Sequence, residues 1–187
     1  MALKYKQSID FFTDKETDII NREVLGNTFP WYLHPKPTTD KFVFMSHTLI
    51  KRHEEAINSD IYTFFHTIFQ RFLKKHKIKC KKITRASLNL TFSDNRFIYS
   101  DPHVDYPTPH SVCMMYLNNT KGNTYIFDEK FKNGPEYFPI ENTKGLKVLK
   151  KIKPEQGKVI HFNGSYYHAN SFCDEGKFRI VCVLTYI

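Results

Sequence analysis

The chain has 187 residues, 41% of them hydrophobic and 16% aromatic, which is enough to fill the core of one domain and too apolar for a disordered chain. Its net charge of +9, from 28 Lys and Arg against 19 Asp and Glu, leaves an acidic partner such as nucleic acid open without requiring one. No apolar run is long enough for a secretory leader or a membrane span. The cysteines Cys80, Cys113, Cys173 and Cys182 lack metal-finger or disulfide-framework spacing, so we expect no membrane and reduced thiols in a cytoplasmic setting.

The first third reads as helical. Thr13 and Glu16 have the spacing of a capping box, and Ile19, Ile20, Val24 and Leu25 follow on one face before Gly26 stops the helix. The stretch FPWYLHPKPTTD (29–40) is Pro-rich and irregular, with Trp31 and Tyr32 expected to fold back onto the core. Ser59 and Asp60 can start a second helix whose Ile61, Phe64, Phe65, Ile68, Phe72 and Leu73 recur every three or four residues and need a large apolar surface. It runs into KKHKIKCKK (74–82), the densest basic run, which reads as a solvated face before a nucleic-acid contact.

After residue 82 the period changes to two. In ITRASLNLTF (83–92), Ala86, Leu88, Leu90 and Phe92 share one face and Arg85, Ser87, Asn89 and Thr91 the other; in a barrel the polar face can line a pocket. Further strand-like runs are SVCMMYL (111–117), NTYIF (123–127), LKVLKKI (146–152), GKVIHF (157–162) and FRIVCVLTYI (178–187), with turns at Asn133-Gly134, Lys153-Pro154 and Asn163-Gly164. Helices followed by short strands, with no alternation of the two, predict an α+β fold built on an antiparallel double sheet or jelly roll. We expect a single domain over 1–187, with 1–82 a mainly helical support and 83–187 carrying the site.

The segment DPHVDYPTPH (101–110) places His103 and Asp105 at i and i+2, on one side of an extended chain, where both can grip one ion. A third ligand has to come from His161, inside an apolar strand, from His168, just after the Asn163-Gly164 turn, or from His110 in the same Pro-stiffened loop. Two His and one carboxylate on one face of a metal leave the opposite positions open, as non-haem Fe(II) needs in order to bind a keto acid and O2 together. The far carboxylate of such an acid needs a cation, and Arg179, among Phe178, Ile180 and Val181, needs an anion. A local His103/Asp105/His110 site leaves Arg179 unexplained.

The order His103-Val104-Asp105, Tyr116-Leu117-Asn118, Gly157 to Phe162, His168 and Arg179 resembles the 2-oxoglutarate and Fe(II)-dependent oxygenases, above all the prolyl-hydroxylase-like branch with its small phage-encoded members. The FPWYL loop, the later SHTLI, and Arg85 with Asn89-Leu90 strengthen the likeness to those small proteins. The resemblance implies a double-stranded β-helix, a jelly-roll or cupin-like core, with N-terminal helices packed on one sheet. It implies His103, Asp105 and His168 as iron ligands and as the catalytic centre, and Arg179 and Tyr116 as partners of 2-oxoglutarate, with Asn89 and Tyr99 facing the pocket. Fe(II), 2-oxoglutarate and O2 are the implied cofactors, and hydroxylation of an unidentified peptide or small molecule is the implied activity. In a phage-encoded member the setting would be the host cytoplasm. The alternative is an inactive barrel that binds metal or nucleic acid.

This sequence departs from the family pattern in three ways. Lys121-Gly122-Asn123-Thr124 keeps one glycine where two are common. A loop with Cys173 to Gly176 lengthens the step from His168 to Arg179. Thr185 stands where the alkylation-repair branch carries a second Arg.

Overall fold

The computed structural model describes residues 3–34, 43–52, 54, 56–93, 98–132 and 145–187. In chain order the elements are β1 (Tyr5–Ser8), α1 (Asp14–Ile19), β2 (Tyr32–His34), β3 (Phe44–Ile50), α2 (Tyr62–His76), β4 (Ile83–Phe92), β5 (Ser111–Tyr116), β6 (Thr124–Lys130), β7 (Val148–Ile152), β8 (Val159–Asn163), β9 (Tyr166–Asn170) and β10 (Phe178–Tyr186). A seven-stranded sheet runs β1-β8-β5-β10-β4-β3-β2 and a three-stranded sheet runs β7-β6-β9, with every neighbouring pair antiparallel. Among the described residues no helix is long and apolar enough to cross a membrane.

Alternation along the strands divides the core into two layers. Leu88 and Leu90 of β4, Cys182 and Leu184 of β10, and Val159 of β8 face one way and pack with Phe65, Ile68, Phe69 and Phe72 of α2. The intervening residues face the other way. Val112, Met114 and Tyr116 of β5, Ile160 and Phe162 of β8, and Val181 and Val183 of β10 meet Ile126, Ile152 and Tyr166 of the small sheet. The large sheet is therefore lined on both faces. α2 covers one face with the surface its spacing predicts, and the small sheet faces the other.

The capping box of α1 forms as expected: the Glu16 amide donates to Thr13 Oγ1 at 3.2 Å, and the Thr13 amide donates to Glu16 Oε2 at 2.8 Å. After one and a half turns the helix widens into a π-helical turn over Ile20–Val24, which buries Ile20 and Val24. Arg71 of α2 grips Glu16 with two donors at 2.7 Å each, tying the two helices together.

The 1–82 region, expected to be mainly helical, holds strands beside its helices. β1, β2 and β3 lie there, and β1 and β2 form the two edges of the large sheet. Ser59 does not cap α2 with its side chain; its hydroxyl meets His47 Nε2 at 2.7 Å. Trp31 packs on Phe29, with ring centroids 4.9 Å apart, but Tyr32 is 61% exposed rather than folded onto the core. The turn read at Asn133-Gly134 and the later part of the Pro-rich stretch lie outside the described residues. Cys113 and Cys182 are buried free thiols, as their apolar settings suggested.

Candidate metal centre

His103 and His168 are joined by a reciprocal pair of backbone hydrogen bonds, 3.0 Å and 2.9 Å, that forms an isolated antiparallel bridge between the 101–105 segment and β9. Directly paired residues project to the same face, and their ring centroids are 4.7 Å apart. Asp105, two residues beyond His103, brings its carboxylate to the same point. One ligand atom from each of the three lies within 4.8 Å of the others. The bridge thus brings together residues far apart in the chain. It selects His168 over the other histidines.

Hydrogen bonds fix the imidazoles. His103 Nδ1 meets the Asp101 carbonyl at 3.0 Å, and His168 Nδ1 meets the Tyr166 carbonyl at 3.1 Å. A carbonyl can only accept, so in each neutral ring Nδ1 carries the proton and Nε2 keeps its lone pair. Burial pushes His103 down to about 4, which keeps that ring neutral at ordinary pH. Burial alone would raise Asp105, but the adjoining His168 ring and the charge of Arg85 outweigh that and hold the carboxyl well below the usual range.

Asp105 Oδ1 accepts from Arg85 Nη1 at 3.3 Å. Asp105 Oδ2 is buried, has no hydrogen-bond partner and lies 3.5 Å from His168 Nε2. Two imidazole lone pairs and an unpartnered carboxylate oxygen aimed at one point are the donors a divalent ion completes. This set fits Fe(II), with positions left open on the side away from the protein ligands.

His110 does not join them. Its Nδ1 meets the Thr108 carbonyl at 2.8 Å, and its buried Nε2 packs against Gly164, where a Cβ would not fit. His161 faces the helix side of the large sheet, where its Nδ1 meets the Tyr186 hydroxyl at 2.8 Å; this is the structural role expected of a strand histidine.

The second feature is a buried cation. Arg179 is 3% exposed, on the inward face of β10. Its Nη2 donates to Thr124 Oγ1 at 2.8 Å and contacts Met114 Sδ at 3.5 Å, while Nε has no partner. Among the described residues no carboxylate pairs with it, and burial pulls its pKa down. Tyr116, also fully buried, donates its hydroxyl to the same Thr124 oxygen at 2.8 Å. Thr124 is the diagonal neighbour of His168 on the small sheet, because Ile126 stands opposite His168 and Thr124 opposite Asn170. Such neighbours lie roughly 7–8 Å apart, so Thr124, which holds the guanidinium, and His168 stand near each other on one face of the sheet.

Asn89 lies on the inward face of β4, where it accepts from the Ser87 hydroxyl at 3.0 Å. Tyr99 is placed elsewhere. It packs on Tyr125 and Phe127, at 5.7 Å and 5.4 Å between centroids, in the cluster on the face of the small sheet opposite Ile126. Sequence reading passed over Thr124 as a residue of the site. It also gave no task to Arg52, whose Nη2 donates to the Asp105 carbonyl at 2.6 Å. The one sign of Thr124 was its period-two position in NTYIF beside the single glycine.

The sequence matches no protein-family model and no curated protein. Solved structures do share its architecture. A 2-oxoglutarate-Fe(II) oxygenase family oxidoreductase from Burkholderia pseudomallei aligns with a TM-score of 0.64 at 14% identity, over 97% of this chain and 84% of its own. The fold is that of the 2-oxoglutarate and Fe(II) oxygenases. A prolyl hydroxylase from Trichoplax adhaerens, in complex with a hypoxia-inducible-factor peptide, aligns with a TM-score of 0.65 at 13% identity, over 98% of this chain and 83% of its own. HygX from Streptomyces hygroscopicus, with nickel, 2-oxoglutarate and hygromycin B bound, aligns with a TM-score of 0.62 at 12% identity, over 98% and 82%.

Proposed function

We propose that the chain is an Fe(II)- and 2-oxoglutarate-dependent dioxygenase, a hydroxylase of the prolyl-hydroxylase-like kind, whose facing sheets form a double-stranded β-helix. The observation that carries this reading is Arg179: a fully buried guanidinium with no acid partner among the described residues, held by Thr124, the diagonal neighbour of His168 in the His-Asp-His cluster. A buried cation of this sort is costly unless an anion completes it, and the dicarboxylate of this chemistry supplies one.

In this reading His103, Asp105 and His168 hold the ion, with both imidazoles fixed by their Nδ1–H bonds. When bound, Fe(II) and 2-oxoglutarate turn O2 into an oxidant for a substrate C–H bond, with succinate and CO2 as co-products. Arg179 would hold the far carboxylate, with its unpartnered Nε free to donate. Tyr116, which now donates to Thr124, and Thr124, which now donates to Met114 Sδ, stand beside it and could turn their O–H groups toward the newcomer. Ile126, Val181 and Val183 make the inner wall apolar and keep water from the keto acid. Peptidyl proline is the default substrate by likeness to the prolyl hydroxylases, and small molecules are the second class to screen.

Anaerobic addition of Fe(II) and 2-oxoglutarate should give a weak visible absorption band, and aeration should give succinate. His168→Ala should abolish both. Arg179→Ala should keep metal binding and raise the 2-oxoglutarate requirement. A wild-type protein with neither band nor succinate would favour an inactive binding barrel.

A further inference from the structure

Asp105 is held at both ends by guanidinium groups from different parts of the fold. Arg52, between β3 and α2, donates to its backbone carbonyl at 2.6 Å and lies 4.9 Å from the centre of the Tyr106 ring. Arg85, on the inward face of β4 opposite Thr185, reaches its carboxylate at Oδ1, 3.3 Å away. The other oxygen, Oδ2, is left without a hydrogen bond on the side of His168. One oxygen of this carboxylate is therefore engaged by protein and one is offered to the ion.

A guanidinium beside a cation site is an odd choice if metal affinity were its purpose, because like charges oppose each other there. Its geometry suits a different task. A carboxylate free to turn can grip an ion with both oxygens, filling a position that a chelating keto acid or O2 needs. A carboxylate with one oxygen tied to Arg85 is held back from that turn.

We propose that Arg85 is a positioning residue that restricts Asp105 to one-oxygen ligation and so reserves coordination positions for 2-oxoglutarate and O2. The inference rests on the oxygenase reading above and adds to it a residue that touches neither the ion nor the keto acid. Arg85 acts through Asp105, and the polar face of β4 that the sequence displays has this as one of its uses.

Two titrations of the full chain test it: Mn(II) binding without co-substrate, read by electron paramagnetic resonance, and 2-oxoglutarate binding to the anaerobic Fe(II) protein, read by the visible band. Arg85→Met should keep Mn(II) affinity within about threefold while weakening 2-oxoglutarate on the order of tenfold, whereas loss of a partner that served metal affinity would cost the metal about tenfold or more. Arg85→Lys keeps a charged donor of similar reach and should restore most of the 2-oxoglutarate affinity. A melting curve on each variant separates misfolding from misorientation, with Arg85→Gln replacing Arg85→Met if the latter does not fold. The proposal is overturned if Arg85→Met titrates 2-oxoglutarate like the wild type, if it loses Mn(II) and 2-oxoglutarate in equal measure, or if both neutral variants are unfolded. Absence of the band in the wild type would instead sink the oxygenase reading itself.

Discussion

Arg179 runs so close to Gly122 that a Cβ on the glycine would stand 2.9 Å from Arg179 Cδ. The same Cβ would meet the Ser171 carbonyl at 3.1 Å, so it has backbone on its other side and cannot simply lean away. The one glycine retained in Lys121-Gly122-Asn123-Thr124 is thus the one that lets the guanidinium reach Thr124. Gly122→Ala should displace Arg179 and weaken 2-oxoglutarate binding on the order of tenfold, with a modest stability loss of about 1–3 kcal/mol from overpacking. Calorimetric titration of 2-oxoglutarate into the Mn(II) protein checks it; unchanged affinity would show that Arg179 does not bind the acid.

Thr124 accepts from both Arg179 and Tyr116. Thr124→Val keeps the shape and removes the acceptor, leaving two buried donors unpaired. Each such group costs about 1–3 kcal/mol, so the metal-free protein should melt several degrees lower. The bound diacid would accept from the same donors, so saturating 2-oxoglutarate with Mn(II) should recover more stability in the variant than in the wild type. Equal recovery in both would argue that the acid does not meet these donors.

What the sequence disclosed follows physical lines. The polar face of β4 was readable because period two is a local signal, and it carries Arg85 to the carboxylate and Asn89 inward. α2 was readable because its spacing repeats over four turns. From the residues alone His168 was one of three candidate partners for His103 and Asp105, and it was the family resemblance that favoured it. What selects it is a long-range backbone bridge, which no local pattern encodes. β3 was hidden because its polar Ser46 and Thr48 blur the hydrophobic alternation and a register shift between Thr48 and Ile50 breaks the period. β1 was hidden because YKQS has no apolar face, and it is a strand only by pairing with β8 from the other end of the chain. Thr124 was overlooked because a threonine in a strand is ordinary until the donors around it are known.

Metal should stabilise the fold through the trio. Oδ2 of Asp105 is buried without a hydrogen bond, and an ion held between it and the two imidazoles supplies its partner. At about a hundred times its dissociation constant, Mn(II) should add about 2.7 kcal/mol, a rise of roughly 5–10 °C for a chain of this size. His168→Ala and Asp105→Ala should lose that rise, while His110→Gln, outside the trio, should retain it. A melting series with and without chelator decides this. A rise that survives in His168→Ala would place the ion elsewhere.

The last prediction concerns pH and a histidine with no part in the metal centre. Burial first, then the charges of His76 and Lys6, push His161 from its ordinary 6.5 down to about 4, while its Nδ1 bonds to Tyr186. A group whose pKa falls on folding binds more protons in the unfolded chain across that window. Its contribution to stability is therefore complete above about 6.5 and is lost as pH falls toward about 4. The expected loss is on the order of 2–3 kcal/mol. His161→Gln removes the titrating group and can keep a polar contact to the Tyr186 hydroxyl. In chelator-treated protein, so that metal release does not intrude, the wild type should lose more melting temperature than His161→Gln between pH 7 and pH 4. Parallel curves for the two proteins would mean that His161 is not held neutral against that face of the sheet.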